Sequence, residues 1–158
     1  MVKPIADKVI QRIDQALVLY HRLIVLVAPP CGGKTAALQE VHARTSAPLI
    51  NVNLELCRRM LNLAERQRAL HLPRLLGALV DDYACDVVLL DNIEVLFEVS
   101  LMLDPLRLLQ GLSRNKTVVV AWSGSIEDNC LVYGIPCHPE YKRYPLSDFL
   151  VVNHKTLA

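Results

Sequence analysis

A chain of 158 residues fits one compact domain and leaves little room for a second. Hydrophobic residues make up 53% and charged residues 21%, which supplies a core and excludes an intrinsically disordered chain. The 17 basic residues nearly balance the 16 acidic ones, giving a net charge of +1, so a polybasic segment that coats nucleic acid or an anionic membrane is excluded and charge predicts no non-specific DNA affinity.

Residues 4–20 carry Ile5, Val9, Ile13, Leu17 and Tyr20 at steps of four, four, four and three, which predicts a helix with one apolar stripe. Pro4 suits its first turn. The period then changes. Residues 23–28 are a continuous apolar run ending in a Pro-Pro-Cys-Gly-Gly loop, as expected of a buried parallel strand that leads into a tight turn. A short helix over 35–44 and a second strand over 48–53 follow. Residues 54–83 read as a long helical region broken at Pro73. Its arginines (Arg58, Arg59, Arg66, Arg68 and Arg74) alternate with acids, the pattern of a solvated face.

Residues 86–91 form a third apolar strand ending in Asp91, residues 101–112 a helix, and residues 117–122 a fourth strand that runs into Trp122 and Ser123. Residues 124–146, with three prolines and two glycines, read as irregular, and 148–152 as a fifth strand. Strands alternating with helices predict an α/β domain with a mainly parallel five-stranded sheet covered on both faces.

No apolar run approaches the roughly 18–20 residues that span a bilayer. Pro4 and Asp7 stand where a secretory signal would be apolar, so a cytoplasmic protein is expected. The five cysteines include no CxxC pair, which fits reduced thiols. Cys130, Cys137 and His138 lack the paired spacing and fourth ligand of a structural metal site.

The loop Ala28-Pro29-Pro30-Cys31-Gly32-Gly33-Lys34-Thr35 follows a strand and opens a helix, the context that a phosphate-binding loop requires. Glycines 32 and 33 have no Cβ, so the amides from Pro30 and Cys31 through Ala36 line a concavity for phosphate oxygens at a helix N-terminus. Pro30 itself shapes the loop without donating. Lys34 would reach the β- and γ-phosphates and Thr35 would place its hydroxyl on Mg²⁺. Ala28 stands where the usual pattern has glycine.

Asp91 is the expected second ligand of Mg²⁺, from a strand expected beside the loop. Hydrolysis also needs a group that activates water. Asn92 can orient a water but cannot take its proton, and Glu94 is the nearest carboxylate. Slow or partner-dependent turnover is therefore expected. Ser123, at the tip of the fourth strand, is placed to sense the γ-phosphate, and Trp122 reads as core. Arg143, with Lys142 beside it, is the expected arginine finger from a neighbouring copy of a homo-oligomer, with Arg114 as its competitor. Ile5, Val9 and residues 134–146 are candidates to flank the base. ATP is expected over GTP because no NKxD motif is present.

With both motifs in place the chain resembles a minimal AAA+-like or STAND-like P-loop ATPase core. The helical lid of such ATPases is not expected, since only residues 154–158 follow the last strand. More narrowly, the chain is similar to the BrxF family, the small P-loop proteins of type-three BREX phage-defence systems. The residues that carry this are 28–35, 91–97, Trp122-Ser123-Gly124 and His138-Pro139-Glu140-Tyr141. The resemblance implies ATP and Mg²⁺ as ligands and other BREX proteins as partners, acting beside the methylation of host DNA and the block to phage replication. A nucleotide-dependent scaffold without turnover and a small-molecule kinase are the alternative readings, and these residues specify neither oligomeric state nor DNA contact.

Overall fold

The computed structural model describes residues 4–30, 33–134 and 137–153. Helix α1, Ile5–Ala16, is followed by strand β1, Leu23–Ala28, and helix α2, Lys34–Thr45. Strand β2, Leu49–Asn51, runs directly into α3, Val52–Met60, and then α4, Glu65–Asp81. Strand β3, Val87–Asp91, is followed by 3-10 turns at Glu94–Phe97 and Val99–Leu101 and by α5, Pro105–Leu112. Strand β4, Thr117–Glu127, then leads into β5, Cys130–Tyr133, β6, Lys142–Pro145, and β7, Leu150–Asn153.

The parallel part of the sheet has the order β2-β3-β4-β1-β7, and β5 and β6 extend it as an antiparallel meander from the far half of β4. The result is a mixed α/β fold with a mainly parallel sheet of seven strands rather than the expected five. Alternation along β1 sorts the core into two layers. Leu23, Val25 and Val27 pack with the residues of α3, α4 and α5, whereas Ile24 and Leu26 pack with α1 and α2. All six residues of β1 are fully buried, as a strand covered on both faces requires.

Several boundaries differ from the sequence expectation for identifiable reasons. The strand expected over 48–53 stops at Asn51, whose side-chain oxygen accepts the Leu54 N–H at 3.1 Å and so caps α3. The helical break comes at residues 61–64, and α4 runs through Pro73. A proline inside a helix costs about 3 kcal/mol. Leu72, Leu76 and Leu79, each wholly or almost wholly buried on that helix, offset it at about 1.5–3 kcal/mol per side chain. The C-terminal end of α4 is held by Lys116, whose ammonium donates to the carbonyls of Val80 (3.0 Å) and Tyr83.

The stripe expected on the first helix ends early: α1 closes at Ala16, leaving Leu17 and Tyr20 exposed beyond it. Helix α5 begins at Pro105 rather than near 101, because Asp104 caps it by accepting the Arg107 N–H at 3.3 Å and Pro105 sits in its first turn. Trp122 is fully buried, as expected.

The largest departure is the segment 124–146, which is ordered sheet where irregular chain was expected. Asp128 and Asn129 form the two-residue connection between β4 and β5, both with positive φ (50° and 61°), the backbone of a tight hairpin. Gly124 makes the start of that hairpin possible, because a Cβ there would lie 1.9 Å from the Val132 carbonyl oxygen. No helix among the described residues is long and apolar enough to cross a membrane.

Candidate functional site

Parallel strands bring their carboxyl ends to one edge of the sheet, and the candidate residues collect there because each ends a strand or follows one. Ala28 ends β1 in register with Ser123 on β4, and Asn51 ends β2 in register with Asp91 on β3. β4 lies between β1 and β3, so Asp91 does not come from the strand beside the loop, as expected, but from the next one over. The polar tip of β4 therefore stands between the two motif strands.

Gly33 has φ +87° and caps α2 in the left-handed region that glycine enters without strain, which turns the chain from loop to helix. Cys31 and Gly32 lie outside the described residues. Thr35 and Ala36 occupy the first turn of α2, exposed to solvent at its positive end. Lys34, only 8% exposed, turns back along the loop and donates from Nζ to the carbonyls of Pro29 at 2.8 Å and Ala28 at 3.4 Å.

Thr35 Oγ1 donates to Asp91 Oδ2 at 2.6 Å, joining residues 56 apart in sequence. Asp91 is buried, and its other oxygen accepts the Asn92 N–H at 2.9 Å. A hydroxyl and a buried carboxylate in contact are the hard oxygen donors that Mg²⁺ takes, so the residues present fit that ion. Asn92 occupies the left-handed region at φ 55° and accepts the Asn53 N–H at its carbonyl (2.9 Å). Its backbone therefore helps to fix the bend after Asp91.

That bend places Glu94 at the start of a 3-10 turn whose Val95, Leu96 and Phe97 are buried. Phe97 stacks on Tyr133 of β5 with ring centroids 3.5 Å apart and meets Trp122 edge-on at 5.1 Å. This aromatic packing fixes Glu94 relative to β4. The Ser123 hydroxyl donates to Glu94 Oε1 at 3.1 Å, so these two predicted residues meet.

Arg143 is not brought to the site of its own chain. It pairs with Val132 across β5 and β6, and its guanidinium lies 3.5 Å from Asp128 and 3.4 Å from the Glu127 carbonyl at the hairpin turn. Arg114 lies at the opposite edge of the sheet, with its guanidinium over the Tyr20 ring at 5.0 Å. Val9 is fully buried between helix and sheet, which removes it from contact with any base, while Ile5 is half-buried at the start of α1.

The meander adds a wall that the sequence reading did not foresee. It rises from the tip of β4 and, with Pro30 of the loop, bounds a cavity of about 410 Å³ lined also by Glu94, Ser123, Tyr133, His138 and Glu140. Burial, with Glu94 and Glu140 nearby, pushes the Tyr133 hydroxyl up to about 12, so it stays protonated at neutral pH. Tyr133 is a lining residue that the sequence reading does not single out, whereas His138 and Glu140 fall in the 134–146 segment expected to flank the base. The signal was present in the alternation Leu131-Val132-Tyr133 after Asp128-Asn129, a turn pair suited to positive φ at both positions.

No protein-family model, no curated protein and no solved structure matches the chain.

Proposed function

We propose that the protein is a P-loop NTPase, a Mg²⁺-dependent ATP-binding and ATP-hydrolysing regulatory subunit of a prokaryotic antiviral (BREX) system, working in the cytoplasm beside other BREX proteins. The observation that carries the nucleotide reading is the 2.6 Å bond between Thr35 and Asp91 beside the buried Lys34 at the end of β1. The BREX placement rests on the sequence resemblance alone, and co-purification with neighbouring BREX gene products tests it.

In this reading the amides that open α2 hold phosphate oxygens, and Lys34 exchanges its carbonyl partners for the β- and γ-phosphates. Thr35 and Asp91 hold Mg²⁺, which neutralises phosphate charge when bound. Running from the β1 loop toward Asp91, the phosphates end beside Ser123, which stands between the two strands. Glu94 accepts the proton of an attacking water, and the Ser123 hydroxyl orients that carboxylate. Asn92 stands where glutamate would directly follow the aspartate, which leaves the task to Glu94 in the next turn and predicts slow turnover.

Glu94→Gln tests the assignment. Single-turnover release of phosphate from Mg²⁺-ATP should fall by roughly 10²–10⁴, the usual contribution of a positioned base, while ATP affinity stays unchanged. Release that persists at the wild-type rate removes Glu94 from the mechanism. The backbone role of Asn92, which accepts from Asn53 and donates to Asp91, favours a second reading, a nucleotide-dependent scaffold. Binding without release in the wild-type protein would select it.

A further inference from the structure

At the amino ends of the strands, opposite the candidate site, Leu17, Val18, Leu19 and Tyr20 are consecutive and exposed, Val18 at 89%. Single exposed apolar residues are ordinary, but four in a row mark an interaction surface. The run is held in place. The Leu19 N–H donates to the Ala16 carbonyl at 2.9 Å, the Arg22 N–H to the Ser113 carbonyl at 2.9 Å, and His21 Nδ1 lies 3.0 Å from the Gln110 carbonyl. Beside it, Leu19 and Tyr20 join Phe149 and Leu150 around a recess of about 530 Å³, so a projecting apolar side chain and an apolar recess share one face. The sheet also orders the charge there. β1 lies between β4 and β7, so the residues that precede these strands run Arg114, Tyr20, Asp148 across the face. The Arg114 guanidinium lies 5.0 Å over the Tyr20 ring, and Asp148 lines the recess with Tyr20. Among the described residues, neither Arg114 nor Asp148 is in an ion pair.

We infer that this face binds a second copy of the chain about a two-fold axis near Tyr20, with Val18 of each copy in the other's recess and Arg114 of each beside the partner's Asp148. Charge complementarity selects that occupant. A two-fold rotation reverses the order of charges across the face, so opposite signs meet at both ends. A partner of one sign would meet a like charge at one end. A bilayer would leave the recess unfilled and Asp148 without a counter-charge. The carboxyl edge with Thr35 and Asp91 stays open in both copies, so this dimer forms without nucleotide and the inference does not rest on the nucleotide reading.

Sedimentation equilibrium of the full chain without nucleotide tests this. At about 50 µM the wild-type protein should have twice the mass of one chain, with dissociation on dilution. Val18→Glu, at a side chain exposed in the single copy, should weaken the dimer at least tenfold while leaving the circular dichroism unchanged. Arg114→Glu and Asp148→Arg should each weaken it at least tenfold, because each sets like charges together at both ends. The two changes combined should restore the affinity to within about threefold of the wild type, which damage to the fold would not do. Because Asp148 has φ 61°, the melting of Asp148→Arg alone reads the backbone strain separately. A monomeric wild-type protein, wild-type association in Val18→Glu, or a double variant no tighter than the single ones overturns the inference. Flotation with phosphatidylglycerol–phosphatidylcholine vesicles covers the other occupant: a wild-type monomer that floats assigns the face to a bilayer and overturns it.

Discussion

Lys34→Ala should lower the affinity for Mg²⁺-ATP by roughly 10- to 100-fold, measured by calorimetry. Hydrogen bonds to charged groups contribute about 1.5–3 kcal/mol, and each 1.4 kcal/mol is a factor of ten. Lys34 is suited to supply that full amount because its side chain is already ordered. Nζ rests 2.8 Å from the Pro29 carbonyl, so little rotamer freedom remains to be lost when phosphate arrives. The same placement carries a cost to the fold: Lys34 is buried, and the Ala28 and Pro29 carbonyls lose its ammonium in the variant, at about 1–3 kcal/mol. A melting temperature roughly 2–10 °C below that of the wild type, with the protein still folded at about 25 °C, together with weakened binding, is the expected pair of results. Equal affinity in the two proteins would dismiss the loop as a phosphate site.

The second large effect concerns Gly124. A Cβ added there would sit 1.9 Å from the Val132 carbonyl oxygen, 3.1 Å from its carbon and 3.0 Å from Trp122 Nε1. Two of these three atoms are backbone, so no side chain can rotate aside. Gly124→Ala must push β5 away from β4 and strain the bond from Trp122 Nε1–H to Val132 O, now 3.1 Å. Overpacking costs typically 1–3 kcal/mol, and a backbone clash belongs at the upper end, about 3 kcal/mol. For a chain of this size that corresponds to a fall in melting temperature of roughly 6–12 °C. The emission of Trp122, the one tryptophan of the sequence, should shift as its environment opens. Gly111→Ala is the matched control. Nothing lies within 4 Å of a Cβ there, inside α5, so that change should stabilise by about 0.5–1 kcal/mol. Comparable melting of the two variants would contradict the packing described for the hairpin.

How much of this architecture the sequence discloses depends on how local each determinant is. β1, α2 and β3 were legible because continuous burial and helical period are properties of short windows, and the loop and Asp91 were legible because residue type and chain position fix them. The order of the strands was not. Nothing in residues 23–28 or 87–91 says that β4 inserts between them, since neighbours in a parallel sheet are chosen by crossover connections and packing.

The meander was missed because prolines at 136, 139 and 145 and glycines at 124 and 134 read as loop. Pro145 in fact ends an edge strand, and Gly124 marks a close backbone approach. Pro73 misled for a related reason: a local penalty was outweighed by buried leucines whose partners are distant in sequence. Of the site residues, Thr35, Asp91, Ser123 and Glu94 come together through strand ends, a geometry that alternation of strands and helices anticipates. Arg143, expected to act on a neighbouring copy, lies at the hairpin turn of its own chain, on a β-strand whose register only the hairpin sets.

The account depends most on Thr35 and Asp91 acting together on a metal–triphosphate. Calorimetric titration of ATP into the wild-type protein and Asp91→Asn, each with Mg²⁺ and with chelator, tests this most directly. The account predicts binding by the wild-type protein that weakens when Mg²⁺ is removed, and Asp91→Asn binding that no longer responds to the ion. Absence of heat with any purine triphosphate, or wild-type affinity indifferent to Mg²⁺, would contradict it.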